Sequence, residues 1–119
     1  MKSYKELIVW QKSFALVLEI YSLLKDMPSD EKFGLTSQIR RCSVSVPSNI
    51  AEGFGRQSQK SFSQFLKISR GSLFELETQL LLTKELKMIA IDDEVFASIE
   101  EISKMLNSFI KKIETNIKR

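Results

Sequence analysis

A chain of 119 residues and 13.7 kDa has room for one hydrophobic core, so residues 1–119 are read as a single domain. Hydrophobic residues at 43% and charged residues at 28% exclude a disordered or membrane-embedded chain, and no run of about 18 apolar residues occurs. One cysteine and no histidine exclude an internal disulfide, the common zinc sites and histidine-based acid–base chemistry, so neither a metal nor a cofactor is expected.

The N-terminal stretch MKSYKELIVWQKS lacks the apolar core and small-residue cleavage site of a signal peptide, so a cytoplasmic protein with no membrane partner is expected. Helical periodicity begins at once. Leu7, Trp10, Phe14, Val17, Tyr21 and Leu24 are spaced by three and four and predict a first helix ending before Pro28, with this seam facing the core. A second stripe on the same helix, Val9, Leu16, Ile20, Leu23 and Met27, is more than one small core can hide, and it is expected at a contact between subunits.

After the turn MPSDEKFG, the series Leu35, Ile39, Cys42, Val46, Asn49 and Gly53 predicts a second helix. Gly53 and Gly55 tolerate positive φ and are expected to stop it, with Ser58 capping the next. Phe62, Leu66, Ser69, Leu73, Leu76, Leu80 and Thr83 predict a long third helix to about Lys87, with Phe74, Leu81 and Met88 apolar off its main seam. Asp92 or Asp93 starts a fourth, carrying Val95, Ile99, Ile102, Leu106, Phe109 and Ile113. Long helices joined by short connections predict an all-α, antiparallel up-down-up-down four-helix bundle.

The second helix is unusual in holding a proline, an asparagine and several serines. Pro47 lacks an N–H and displaces the Ser43 carbonyl from its usual bond, at a cost of about 3 kcal/mol in a helix interior. A kink is expected there, with nearby hydroxyls, the Asn49 amide or Ser69 on the third helix satisfying the backbone. Asn49 is read first as a register-fixing amide, and second as a ligand-facing one. Glu52 is read as the i, i+4 partner of Arg56 rather than a general base, and Cys42 as a small core residue.

Charge is unevenly spread. Residues 38–70 hold Arg40, Arg41, Arg56, Lys60, Lys67 and Arg70 against the single acid Glu52, a local net charge of +5 in a chain of net +3. Such a segment is suited to phosphate backbones, particularly when repeated around an oligomer. Phe54, Phe62 and Phe65 lie among these cations; their helical spacing favours core positions over stacking on bases.

The runs LTSQIRRCSVSVPSNIAEGFGR and SFSQFLKISRGSLFELETQL resemble the signature of the four-helix bundle proteins encoded in intervening sequences of bacterial 23S rRNA genes. The resemblance extends from VWQKS to about Lys87. It implies a cytoplasmic bacterial protein that assembles into a homopentamer. The chain is similar also to the accessory variability proteins of diversity-generating retroelements, which implies a basic surface that binds nucleic acid and a reverse transcriptase as a protein partner. The family's motif positions fall on Ser45, Pro47, Asn49, Ile50, Ala51, Glu52, Gly53 and Arg56, then Gly71, Ser72, Glu75 and Glu77. Cys42 departs from the alanine usual in the family.

The leading expectation is therefore a non-catalytic, oligomeric RNA- or DNA-binding bundle held by phosphate contacts. The alternative is a scaffold docking a partner enzyme such as a reverse transcriptase. An enzyme ranks third, because Glu52, Glu75 and Glu77 are the clustered carboxylates and the Glu-x-x-His pair of a di-iron bundle is missing.

Overall fold

The computed structural model describes residues 2–118. Four helices account for most of them: α1 (Ile8–Leu23), α2 (Leu35–Phe54), α3 (Gln59–Glu85) and α4 (Asp93–Ile117). Short 3-10 turns at Tyr4–Glu6, Leu24–Asp26 and Ser29–Glu31 precede α1 and bridge α1 to α2. No strand occurs among the described residues.

Cross-helix contacts fix the topology. Tyr21 meets Arg40, Ser72 meets both Cys42 and Ser45, Ser69 meets Val46, and Lys67 and Arg70 reach Glu114 and Asn107. Between α2 and α3, and between α3 and α4, rising numbers on one helix meet falling numbers on the next, which makes these neighbours antiparallel. The four helices form a bundle of 50 × 20 × 20 Å, consistent with an up-down-up-down order.

The seams of α2, α3 and α4 pack as their periodicity predicts. Ile39, Val46, Ile50, Leu66, Leu73, Leu76, Leu80, Ile99, Ile102 and Leu106 are all buried in one core. Ser58 caps α3, accepting a hydrogen bond from the Ser61 N–H at 3.2 Å, and α4 opens with Asp93 and Glu94 in its first turn.

Both stripes of α1 reach the core: Leu7 and Leu24 of the first are buried and Trp10 packs against it, while between them the second stripe faces inward. Val9, Leu16 and Ile20, expected at a subunit contact, lie in the chain's own core with 3%, 3% and 0% exposure, and Leu23 is half-buried against it. Phe14 and Tyr21, expected inside, are exposed. The reason is steric. The inward face carries Val9, Leu16, Ile20 and the buried Ser13, whose Oγ donates to the Val9 carbonyl at 2.6 Å, so α1 can approach its neighbours closely. Bulky rings stand at the edge, where Trp10 packs on Tyr4 and Phe14 at centroid distances of 5.2 and 5.0 Å.

The glycines also act differently from expectation. Neither Gly53 nor Gly55 adopts positive φ; Gly53 lies inside α2 and Gly55 caps it at φ −73°. A Cβ on Gly53 would come within 2.7 Å of the Phe65 Cβ and 2.9 Å of the Phe62 Cδ1. Gly53 thus serves the close approach of α3 to α2. The left-handed residue is Lys87, at φ 57°. There the Met88 N–H donates to the Thr83 carbonyl and the Lys87 N–H to the Lys84 carbonyl, a Schellman closure of α3.

Candidate nucleic-acid interface

The polar segment of α2 is a seam against α3, the most extensive helix pair in the bundle. The helix continues through Pro47, which is buried within it. Ser69 Oγ donates to the Val46 carbonyl at 2.8 Å, Cys42 Sγ donates to the Ser72 carbonyl at 3.0 Å, and the Ser45 and Ser72 hydroxyls share a hydrogen bond of 2.8 Å. Asn49 is half-buried, and its Nδ2 donates to the Ser45 carbonyl and Oγ at 2.8 and 2.9 Å. Its amide therefore engages Ser45 on its own helix. Serines, a cysteine and Gly53 along the seam are small enough for α2 and α3 to sit close, and their hydroxyls and thiol bond the facing backbone. Burial, with the Glu75 charge adding to it, pushes the Cys42 thiol up to about 11, so it stays protonated and unreactive at neutral pH.

The six cations of residues 38–70 separate into distinct places. Arg40 is half-buried beside α1, its guanidinium 5.4 Å from the Tyr21 ring centre. Arg41 is exposed in a polar groove between α2 and α3 with Gln38, Ser72 and Glu75. Lys67 forms a 2.6 Å ion pair with Glu114, and Arg70 donates to Asn107 Oδ1 at 2.8 Å, both across the α3–α4 seam. The Lys67 hydrogen bond, with its charge, holds the Glu114 carboxyl below the usual carboxylate range. Arg56 and Lys60 remain exposed at the α2–α3 turn. Arg56 lies 3.6 Å from Glu52 and 5.0 Å from the Phe65 ring centre, an exposed i, i+4 pair of small energetic weight.

Antiparallel topology brings a further set of cations to that turn. The end of α4 runs beside the start of α3, placing Lys112 in one pocket with Arg56. Lys111, Lys112 and Lys118 are all exposed on this last stretch of α4. Sequence reading sets Lys111 and Lys112 apart as basic residues outside the concentrated segment, because they lie far from residues 38–70 along the chain; the antiparallel order of the helices is the signal that joins them. Arg41 stands 15 positions before Arg56 on α2, roughly 22 Å along the axis, so it belongs to another part of the surface.

The pocket has a volume of about 360 Å³ and is open to solvent on one side. Arg56 and Lys112 line it with Gln57, Gln59 and Asn116, while Phe62 and Phe109 form its apolar wall. Phe54, Phe62 and Phe109 are half-buried, with edge-to-face centroid distances of 6.1 Å for the first pair and 5.3 Å for the second. Gly53 holds this wall in place by letting Phe62 and Phe65 pack on the α2 backbone. The first turn of α3 starts here as well, where helix N–H groups favour negative charge. Among the described residues, no group of three or more cysteines and carboxylates gathers to hold a metal, and no helix is long and apolar enough to cross a membrane.

No curated protein matches the sequence. A crystal structure of a protein of unknown function from the S23 ribosomal protein family of Bacteroides thetaiotaomicron is similar in fold, with a TM-score of 0.81 and 30% identity. The similarity covers 90% of this chain and 98% of the other. Residues 5–108 match the family described as 23S rRNA-intervening sequence protein, a span that includes the α2–α3 polar seam and the first part of α4. The chain belongs to the 23S rRNA-intervening sequence protein family.

Proposed function

We propose that this protein is a non-catalytic, oligomeric bundle that binds RNA through its phosphate backbone at the end where the α2–α3 turn meets the end of α4. The observation that carries it is that Arg56 and Lys112, from two distant parts of the chain, line one pocket, with Lys60, Lys111 and Lys118 exposed on the same stretches of α3 and α4 and Glu52 and Glu114 as the nearby acids. Glu114 is already engaged by Lys67. Among the described residues Lys60, Lys111, Lys112 and Lys118 make no ion pair and Arg56 makes only the exposed one with Glu52, so these cations can meet phosphates, which respond to summed positive potential rather than to any one residue. The family description, 23S rRNA-intervening sequence protein, refers to the sequence its members are encoded in, and RNA is taken as the first ligand to test on that ground.

Assembly is the second part of the proposal. Phe14 and Leu18, at 47% and 61% exposure, join Val44 along an apolar groove between α1 and α2 that Trp10 and Val17 also line. A separate apolar face on α3 shows Ile68, Phe74, Leu81, Leu82 and Leu86. Because α1 packs on α2 and α4, α3 stands diagonally across the bundle, so the two faces point in different directions. The occupant proposed for the α1–α2 groove is a second copy of the chain; joining two unlike faces head to tail builds a closed ring, consistent with the pentamer that the resemblance implies. Ring closure would repeat the basic end around one axis.

Fluorescence anisotropy with single-stranded RNA at low salt tests the binding site. The double variant Arg56→Gln/Lys112→Gln is expected to lose about tenfold or more in affinity across unrelated sequences. Lys25→Gln/Lys32→Gln, at the opposite end of the bundle, is expected to bind as the wild type does. Equal losses in both would make the basic end an ordinary solvated surface. A monomeric wild type that captures a reverse transcriptase on the α1–α2 groove would favour the scaffold alternative instead.

A further inference from the structure

We infer that the pocket at the basic end receives one nucleotide of an unpaired strand, with its base against Phe62 and Phe109 and its phosphate between Arg56 and Lys112. The inference rests on the nucleic-acid reading above and adds to it a preference for unpaired strands that a purely electrostatic surface does not have.

The composition of the lining carries the argument. At about 360 Å³ the pocket falls within the range of small-ligand sites, roughly 300–1,000 Å³. An inorganic anion needs no aromatic wall, and an apolar ligand needs no cations; a nucleotide uses both. Phe62 and Phe109 stand edge to face at 77°, so a base stacks on the face of one ring while the other ring borders it, and any base gains stacking energy there. Gln57, Gln59 and Asn116 each present a donor and an acceptor on one amide, so either edge pattern of a base can be met without strict selection. Lys112 makes no ion pair among the described residues, and the Arg56 pair with Glu52 is long and exposed, so both cations can turn to a phosphate. A base stacked within a duplex cannot enter such a pocket, whereas one splayed from a single strand can.

The α4 wall of the pocket, Phe109, Lys112 and Asn116, lies beyond residues 5–108 that match the family.

Nuclear magnetic resonance on the isotope-labelled full chain tests it, with adenosine monophosphate, ribose 5-phosphate and inorganic phosphate as separate probes. Adenosine monophosphate is expected to shift the Gln57, Gln59 and Phe62 backbone amides and the Asn116 side-chain amide with saturation. It should bind about tenfold more tightly than ribose 5-phosphate, the ratio that one stacked base supplies. Asn116→Ala and Lys112→Gln should each weaken it while leaving the spectrum of the fold intact. Equal shifts with all three probes would reduce the pocket to an anion site and overturn the inference, as would shifts confined to other residues. Single-stranded RNA added to the same sample separates the two claims. If RNA binds and adenosine monophosphate does not, the pocket assignment fails and the backbone-binding proposal stands; if neither binds, both fail.

Discussion

Gly53 shows how a single residue can be decided by space rather than by backbone freedom. Glycine inside a helix ordinarily costs about 0.5–1 kcal/mol relative to alanine. Here an added Cβ would meet the Phe65 Cβ and the Phe62 ring at 2.7 and 2.9 Å, and the first of these belongs to no flexible tip. Gly53→Ala is therefore expected to destabilise the protein by about 1–3 kcal/mol through overpacking, read from urea denaturation; a gain in stability would show that α3 can move away freely. Glu114 makes the complementary case for charge. Its pair with Lys67 removes a cation from the basic end, so Glu114→Gln should strengthen RNA binding and steepen the salt dependence by about 0.7, one phosphate's share on a single strand. Unchanged binding would place Lys67 outside the interface. Residue identity alone revealed the odd chemistry of α2 and the need to satisfy backbone around Pro47. It did not reveal that Ser69 bonds Val46 or that Asn49 bonds Ser45, because those partners depend on helix rotation.

At the scale of helices, periodicity located α2, α3 and α4 to within a few residues, since each carries one dominant seam flanked by polar positions. For α1 it holds only in part. Both stripes have helical spacing; Leu7 and Leu24 of the aromatic stripe are buried, but Phe14 and Tyr21 are exposed because the slimmer face with Ser13 packs closer. The end of α3 also carried no glycine signal, because its left-handed position is occupied by Lys87. A non-glycine residue there costs about 1–2 kcal/mol in the folded state. Lys87→Gly is expected to raise stability by about 1 kcal/mol, whereas Glu85→Gly within the last turn should lower it; thermal or urea unfolding of the two variants distinguishes the cap from a general glycine effect. If Lys87→Gly destabilised the chain, the side chain would matter more than the φ value.

Across the whole molecule, a 50 Å rod separates its surfaces by chemistry: a basic end, an apolar α1–α2 groove and an apolar α3 face. The +5 segment was legible in the sequence, but folding disperses it: Arg40 and Arg41 lie away from the α2–α3 turn, and Lys112 of α4 stands there beside Arg56. Assembly has its own test on the corrected surface. Phe14→Glu/Leu18→Glu should leave the helices intact and disperse the oligomer in sedimentation velocity, because an interface cannot bury unpaired carboxylates at low cost. Leu16→Glu/Ile20→Glu should instead unfold the chain, since those side chains are core. A wild type that sediments as a monomer at micromolar concentration would remove the ring from the account.

The salt dependence of RNA binding tests the central claim most directly. For the wild type, log affinity should fall linearly with log salt, by about 0.7 for each phosphate neutralised on a single strand. For Arg56→Gln/Lys112→Gln the slope should be shallower by about 1.4, the share of two lost contacts. A wild type without affinity at low salt, or a slope that the double substitution leaves unchanged, would contradict a backbone-binding site at the basic end.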